Sequence, residues 1–499
     1  MAYYSGFLVG IVVLCSNIHF TVSSVTCQQL STSNITIEAY LSVNYDVDQF
    51  EYWSSACGSL LPGCILVPNT ADEVSTIIKT LQSNGEDFAV KSGGHNPNQN
   101  FSSVAGGPLI NLKGFNQVLY DSSSRTAKIG AGNRWSAVVK ALQSYNVTVV
   151  GGRIGHVGVG GYLVGGGLSY LSTQHGWASD SIVEAEVVLA NGSIVTASET
   201  TNVDLFNVLR GGGNNFGVVT TYTLKAYPLG QIWGGTMVFT SSASVDDQIL
   251  LAVRDFVEYY PDEKAAIIVT KEITIASLVE IWLIFFFYDG PTPPAGTFDN
   301  FTNIGPLVNT CKTTTYYDFV SADDALVITG EVYMITTEAT TLPNATVGLE
   351  VMRSYHDYYV DMAKNNSLVA GLTATMALQP IPKILAQKSK GNGGDLLDLD
   401  DAVDRIFFEF DYSFTSILSD TRMDATVKTL FTGIRERVQA FIANGTIPDA
   451  YLPLFMNDAN YQQDYWGRLR PEKLTYAQEV RDKYDPEGFF RDRTGGFKL

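Results

Sequence analysis

The sequence predicts an α+β protein with two domains, and three observations support this prediction. The chain has 499 residues, more than one hydrophobic core usually serves. Up to about residue 230, short apolar segments alternate with segments of helical periodicity. From about residue 231, longer strand-like segments predominate, with amphipathic helical segments between them.

The first segment predicts export. Residues 6–15 form an apolar run (GFLVGIVVLC) that is too short for a membrane span, and small residues precede a cleavage site after Ser24. We therefore expect a signal peptide over 1–24, a secreted product and no membrane partner after cleavage. Eight N-glycosylation sequons agree with this route; they begin at Asn34, Asn100, Asn146, Asn191, Asn300, Asn344, Asn365 and Asn444.

Local sequence patterns predict the strands and helices before residue 230. Short strands are predicted at 65–67, 88–90, 109–111 and 127–129. A helix is predicted over 70–81, where Asn69 and Thr70 supply a cap, and a second over 133–144.

The segments after residue 231 predict a second layer made of a sheet and helices. Segments 267–274, 278–288 and 405–414 predict antiparallel strands, and helices at 245–259, 345–364 and 425–443 would cover one face of that sheet. The polar, glycine-rich segment 387–398 predicts a mobile loop. The tail from residue 450 should return to the first domain, where Tyr484 and Phe490 pack.

Composition narrows the class of partner. A net charge of −19 argues against nucleic acid, whose phosphates favour basic proteins. Cleavage of the leader would leave Cys27, Cys57, Cys64 and Cys311, which allow three pairings; Cys27–Cys64 is preferred, as a clip between the first helix and the first strand. No paired Cys/His spacing predicts a metal site.

The run 150–169 (VGGRIGHVGVGGYLVGGGLS) is nearly half glycine, yet apolar residues interrupt it at every turn. Such density in a packed segment predicts backbone that approaches a bulky, phosphate-bearing ligand. The dinucleotide fingerprint fails because Leu163 occupies its third glycine position, and no GK[ST] follows any glycine run. The nucleophile elbow fails at Leu171. A flavin remains a serious candidate.

Four further motifs occur in order with this run. They are KSGGHNP around His95, WASDSIVEAEVVLANG at 177–192, LRGGGNNFGVV at 209–219 and KYDPEGFF at 483–490. Together they resemble the berberine-bridge-enzyme-like branch of the vanillyl-alcohol-oxidase superfamily. The resemblance extends from about residue 52 to the C-terminus.

The resemblance implies a PCMH-type FAD-binding domain of two α+β subdomains over 25–230, with its core at about 60–230. It also implies a substrate-binding domain over 231–449 and a C-terminal segment over 450–499. By the same resemblance His95 bonds covalently to FAD. Relatives with a second bond carry cysteine where Ile154 stands, so we expect one covalent link. Val157 falls at a position that controls oxygen access, and a small residue there is typical of oxidases.

Further flavin contacts are expected around these motifs. Backbone amides from Ser92 to His95 can form an anion-binding nest for the pyrophosphate. The remaining expected contacts are Asn96, Gly160, Gly161, Gly165, Gly166, Gly167, Ser169, Asp180, Ile182, Gly217, Val218 and Asn457. His156 and His175 are either flavin contacts or core histidines, and the latter interpretation is favoured for His175.

Two segments are candidates for the catalytic base. In 407–413, period-two alternation places Phe407, Glu409 and Asp411 on one face, where buried carboxylates are costly without a role. The alternative is a solvent-facing edge of the sheet. In 455–461, the resemblance implicates Asn457 and Tyr461, and the alternative is an ordinary surface loop.

The predicted function is a secreted FAD-linked oxidase that takes a hydride from an alcohol or amine carbon of a small molecule, with O2 as the second substrate. An oligosaccharide oxidase is the first alternative, although the tryptophans do not cluster in the predicted substrate region. An inert glycoprotein that retains flavin is the second. The sequence leaves the oligomeric state open.

Overall fold

A computed structural model describes residues 24–274, 279–324 and 327–499. The expected signal peptide thus lies, except for Ser24, outside the described residues. None of the helices within these ranges is long and apolar enough to cross a bilayer.

The first sheet has four strands in the order β1-β2-β4-β3, and only the β1–β2 pair is antiparallel. The Cys27–Cys64 disulfide joins the first helix to β2, which confirms the preferred pairing. These elements are β1 (Thr36–Ala39), β2 (Cys64–Val67), β3 (Ala89–Lys91), β4 (Pro108–Asn111), α1 (Val25–Leu30), α2 (Val43–Phe50), α3 (Ser55–Gly58) and α4 (Ala71–Asn84).

Helix α4 begins and ends as its sequence requires. The Thr70 hydroxyl accepts a hydrogen bond from Glu73 N, and the Glu73 carboxylate accepts one from Asn69 N at 2.6 Å. Gly85 ends the helix with φ +66°, a conformation that favours glycine.

The second sheet is antiparallel, with the order β5-β6-β10-β8-β9, and β7 also pairs with β10. Its elements are β5 (Val118–Asp121), β6 (Thr126–Gly130), β7 (Val147–Val149), β8 (Ile182–Val188), β9 (Ile194–Ser198), β10 (Val218–Pro228), α5 (Trp135–Gln143), α6 (Val159–Val164), α7 (Ser172–His175) and α8 (Val203–Val208). The first two sheets share one hydrophobic core.

The third sheet is also antiparallel, and its main path is β14-β11-β13-β12-β17-β18-β16, with β15 beside β11. Helices α9, α12 and α14 cover one face and form a second core with it. The elements are β11 (Ile232–Thr240), β12 (Ala265–Thr274), β13 (Val279–Tyr288), β14 (Val308–Asn309), β15 (Lys312–Thr314), β16 (Val332–Thr341), β17 (Thr373–Ile381), β18 (Arg405–Phe414), α9 (Ala243–Glu258), α10 (Asp299–Thr302), α11 (Tyr316–Asp324), α12 (Gly348–Lys364), α13 (Lys383–Gly391) and α14 (Asp420–Ala443).

One element differs from expectation. The segment 387–398, expected to be a mobile loop, begins inside α13 and then turns inward. Leu396 and Leu397 are buried, and Arg210 donates to the carbonyls of Asn392 and Gly394. Its glycines suggested mobility, but burial of two leucines fixes the segment.

The tail returns to the first two sheets. Helices α15 (Pro471–Tyr484) and α16 (Phe489–Arg493) precede the C-terminus. The Tyr484 hydroxyl donates to Asp204, and the rings of Phe489 and Phe490 pack on Phe88. The Phe497 carbonyl accepts hydrogen bonds from Asn215 and Trp466.

Candidate active site

A cavity of about 670 Å³ lies between the first two sheets and the uncovered face of the third. Most of the residues expected at the site line this cavity. They are Ser92, Gly93, Gly94, His95, Asn96, Val157, Gly160, Gly161, Gly165, Gly217, Val218, Glu409, Asp411 and Asn457.

One wall of the cavity is backbone. Gly93 and Gly158 pack directly against each other: a Cβ on Gly158 would lie 2.2 Å from Gly93 N. The Ser92 hydroxyl donates to Ala131 O at 2.6 Å and accepts from Gly160 N at 3.2 Å. By contrast, a Cβ on Gly161 would meet nothing within 4 Å. The wall is thus closely packed behind and open towards the cavity.

His95 projects from this wall. Its ring stacks on Trp53 at a centroid distance of 4.4 Å, and Trp53 stacks on Tyr333 of β16 at 4.1 Å. Burial, with smaller contributions from His156 and Arg134, lowers the pKa of His95 to about 3, so the imidazole is neutral at physiological pH. Its buried Nε2 has no hydrogen-bond partner among the described residues.

The opposite wall is made of side chains from the third sheet. Strand β18 pairs with β17 and β16, so the proposed solvent-facing edge is wrong. Glu409 and Asp411 face the cavity, while Phe408 and Phe410 are buried in the core beneath α12. This is the alternation that the sequence predicted.

Burial raises the pKa of both carboxyls on β18. For Asp411 it rises to about 8, with the Asp458 charge as second cause. For Glu409 it rises well above its ordinary value, through burial and then through Asp458 and Asp411. Perturbed carboxyls inside a cavity are typical of sites that transfer protons.

Asp458 is a third carboxyl at the cavity, and sequence reasoning did not select it. It accepts a hydrogen bond from Gln379 Nε2 at 2.9 Å, and the Gln379 amide oxygen accepts one from Arg153. Burial raises the pKa of Asp458 to about 6, and the Arg153 charge and the Gln379 hydrogen bond oppose this rise.

Several expected residues do not line the cavity. Gly166 and Gly167 turn behind it, where Gly167 N donates to Asn457 at 3.1 Å. Ser169 lines a separate small pocket, buried Asp180 accepts from Trp177 N at 2.8 Å, and Ile182 begins β8 inside the core.

Tyr461 is not brought to the cavity either. Its side chain is 50% exposed, and its hydroxyl donates to Asp424 at 2.8 Å. The chain leaves the cavity after the 3-10 turn Met456–Asp458, so Tyr461 faces solvent.

His175 and His156 lie in different environments. His175 stacks on Tyr227 at 3.7 Å, as a core histidine would. The His156 ring lies 5.6 Å from that of His95, and His156 N donates to Asp324 at 2.6 Å.

Comparison with known proteins identifies the family. A family model described as "FAD binding domain" matches residues 62–198, which include His95 and the glycine wall. An "Uncharacterized FAD-linked oxidoreductase" of Arthroderma benhamiae is 40% identical, covering 95% of this chain and 94% of the relative. "FAD-dependent monooxygenase FUP4" of Fusarium proliferatum is 33% identical, covering 90% and 87%.

Solved structures share the fold. BBE-like 1 of Physcomitrella patens superposes with a TM-score of 0.76 at 14% identity, covering 95% of this chain and all of that one. Glucooligosaccharide oxidase of Acremonium strictum gives 0.75 at 20% identity, covering 93% and 97%. The protein belongs to the FAD-linked oxidoreductases. It is therefore an FAD-dependent enzyme with a PCMH-type fold.

The cavity of this FAD-linked oxidoreductase fits the cofactor that the family implies. The glycine wall leaves space at Gly161 where a side chain would intrude, and the backbone nest at 92–95 suits a pyrophosphate. His95 offers a neutral imidazole and an unpartnered nitrogen. These residues would hold FAD, and the carboxyls of β18 lie in the same cavity.

Proposed function

We propose that this enzyme is an oxidase that removes a hydride from an alcohol or amine carbon of a small organic molecule, with FAD linked through His95. When bound, FAD would supply the hydride acceptor, and O2 would take up the two electrons to give hydrogen peroxide. The chain's own residues bind the substrate and take its proton.

One observation carries this proposal. Two buried polar atoms without partners among the described residues, His95 Nε2 and Asp411 Oδ1, belong to side chains that line one cavity from its two walls. Buried polar atoms are usually paired, and exceptions concentrate where a ligand or a reaction uses them. The proposal assigns the first to cofactor attachment and the second to substrate.

Asp411 is the proposed base. In its ionised form it would accept the proton of a substrate hydroxyl or amine, since a raised pKa near the working pH strengthens a carboxylate as a proton acceptor. Burial raises the pKa of Glu409, two residues away on the same face, well above its ordinary value, and in its protonated form it would donate a hydrogen bond to the substrate heteroatom.

A single covalent link is proposed because Ile154, not cysteine, lines the cavity beside Arg153. The glucooligosaccharide oxidase with this fold carries a 6-S-cysteinyl, 8α-N1-histidyl FAD. We expect the peptide containing His95 to carry the added mass of FAD after denaturation and digestion. In His95→Ala the mass should disappear; flavin that remains covalent there would contradict the link.

An oligosaccharide oxidase is the second candidate, because Trp53 and Tyr333 line the cavity with hydroxyls from Thr373, Thr375 and Ser413. Aromatic faces and hydroxyl groups suit a sugar. Of the tryptophans, Trp53 lines the cavity in the described structure, which agrees with the expectation that they do not cluster there. A peroxide-coupled screen of sugars, alcohols and amines separates the candidates, and flavin-loaded protein that is silent with all of them favours the inert alternative.

Because one relative is described as an FAD-dependent monooxygenase, insertion of oxygen into the product is a further outcome that the screen must distinguish. Turnover under ¹⁸O2 should yield product without label and one peroxide per product for an oxidase. Label in the product would overturn the oxidase proposal.

Secretion is proposed from the leader and the sequons. All eight sequon asparagines are exposed, including Asn34, Asn146 and Asn444, and a disulfide is present. Endoglycosidase treatment of secreted material should raise its electrophoretic mobility; unchanged mobility and a cell-retained product would contradict this proposal.

A further inference from the structure

Two of the carboxyls that line the cavity, Asp411 and Asp458, differ in their hydrogen-bond partners. Asp458 accepts a hydrogen bond from Gln379, whereas Asp411 Oδ1 is buried with no partner in the described ranges. A donor stabilises the ionised form of a carboxyl, and burial without a donor favours the neutral form. Of these two, Asp458 is thus the better site for a negative charge.

A short chain of groups reinforces this difference. The Arg153 guanidinium donates to the Gln379 amide oxygen, and the other end of the same amide donates to Asp458. No carboxylate in the described structure lies within ion-pair distance of Arg153, so Gln379 links the two charges without direct contact. Gln379 is fully buried, which fixes both hydrogen bonds in place.

Strand register places Gln379 on the same face of the sheet as the proposed base, two positions along that face from Asp411. Gln379 lies opposite Phe407 on β18, and Ala377 and Thr375 lie opposite Glu409 and Asp411. Alternate residues of paired strands share one face of a sheet. The Gln379 amide, which binds Asp458, therefore lies on the same face as Glu409 and one same-face position further along the sheet.

We propose that Asp458 is a positioning residue which carries the negative charge of the cluster, and that this charge sets the pH at which Asp411 gives up its proton. The proposal rests on the proposed function, in which Asp411 is the base. It adds Asp458, Gln379 and Arg153 as the device that tunes it.

The directions of the pKa shifts agree with this arrangement. The charge on Asp458 is the largest cause after burial of the raised pKa at both Glu409 and Asp411. Arg153 lowers the pKa of Asp458 and of Glu409. Other charged or titratable groups lining the cavity are His95, Tyr162 of α6, Tyr222 of β10, Glu272 of β12, Asp323 of α11, Glu331 and Tyr333 of β16.

The test follows the Asp411 proton in the FAD-loaded enzyme without substrate. The infrared band of protonated carboxyl groups is recorded against pH for wild type and Asp411→Asn, and the difference isolates Asp411. The same pair is measured in the Asp458→Asn background. We expect the Asp411 midpoint to fall by about one pH unit when the neighbouring charge is removed.

Glu272→Gln is the matched control. It removes a cavity carboxyl on β12, two strands away from Asp411, because Glu272 pairs with Thr375 and Thr375 pairs with Asp411. Burial and the charge on Asp458 are the causes of the raised Asp411 pKa and Glu272 is not among them, so the Asp411 midpoint in this variant should stay close to that of wild type. Equal shifts in both variants, or none in Asp458→Asn, overturn the proposal.

A second variant protects the test if Asp458→Asn fails to fold. Arg153→Gln removes the positive charge that favours ionised Asp458, so less negative charge stands beside Asp411 and its midpoint should move to lower pH. A shift to higher pH would also overturn the proposal. Turnover of a substrate from the peroxide screen separates the two claims: if Asp411→Asn retains full activity, the proposed base is wrong whatever Asp458 does.

Discussion

The two walls of the cavity are built from different material. The wall around residues 92–95 and 157–167 is mainly backbone, held by glycines that contact each other. The wall from the third sheet presents side chains, among them Glu409 and Asp411. Steric exclusion determines the shape of the first wall, and charge determines the chemistry of the second. The first wall therefore suits a fixed cofactor, while the side chains of the second can vary with the substrate.

The largest expected effect breaks the backbone wall. Gly158→Ala would place a Cβ 2.2 Å from Gly93 N, and backbone on both sides leaves little room to relax. We expect a destabilisation of about 3 kcal/mol or more, or no folded protein. The free energy of unfolding from urea denaturation measures it.

Gly161→Ala is the matched control, because its Cβ meets nothing within 4 Å and it lies in α6. The apoprotein should be as stable as wild type, while FAD loading falls because the methyl group enters the cavity. If both alanine variants behave alike, the distinction between packed and open sides of this wall is wrong.

The next effect tests the charged wall. Asp411→Asn keeps the shape of the side chain but removes the proposed proton acceptor, so we expect a loss of about 10²- to 10⁴-fold in kcat with FAD still bound. Peroxide release and flavin absorbance measure the two properties separately. A loss of flavin together with activity would instead assign Asp411 to cofactor binding.

A smaller effect concerns the free-energy cost of burying an acidic side chain, Asp323 of α11, in the cavity. Asp323 is 3% exposed, and burial raises its pKa to about 8. Because its pKa in the unfolded chain lies near 3.8, the folded state holds its proton more tightly. The contribution of this tighter proton binding to the free energy of unfolding is complete below about pH 4, and it is lost as the pH rises through 8.

Asp323→Asn should therefore gain in free energy of unfolding relative to wild type as pH rises, by at least about 1 kcal/mol at pH 8. Urea denaturation at several pH values measures this difference. Asp318→Asn, at an exposed position of the same helix, is the control and should show no such trend. A constant offset between Asp323→Asn and wild type would contradict the prediction.

The smallest expected effect lies where the walls meet. Trp53 stacks between His95 and Tyr333, so it holds the imidazole ring in place. Trp53→Leu should lower the covalently bound fraction of FAD several-fold without unfolding the protein, and Trp53→Phe should restore most of it. Equal covalent fractions in all three proteins would show that the stack does not orient His95.

Much of the fold and the backbone wall could be predicted from sequence. Glycine density has few explanations, and strand alternation placed Glu409 and Asp411 correctly. The segment 455–461 was also recognised, and Asn457 lines the cavity as expected, but Tyr461 faces outward and Asp458, which was not selected, faces inward. A 3-10 turn has no long period from which to read a face.

Arg153, Gln379 and Trp53 were not selected because each acts through a distant partner. Gln379 and Asp458 are 79 residues apart, and Arg153 and Gln379 are 226 apart. No local pattern reports such contacts. A buried glutamine in an otherwise apolar strand is the signal that could have pointed to Gln379.

The C-terminal tail has a consequence for biosynthesis. Gly496 and Phe497 line the same cavity as Ser92 and His95, and Phe497 stacks edge-on against Phe101 at 5.2 Å. The cavity therefore lacks part of its lining until residues 496 and 497 have been synthesised and packed. Truncation before residue 496 should accordingly give protein that binds flavin poorly.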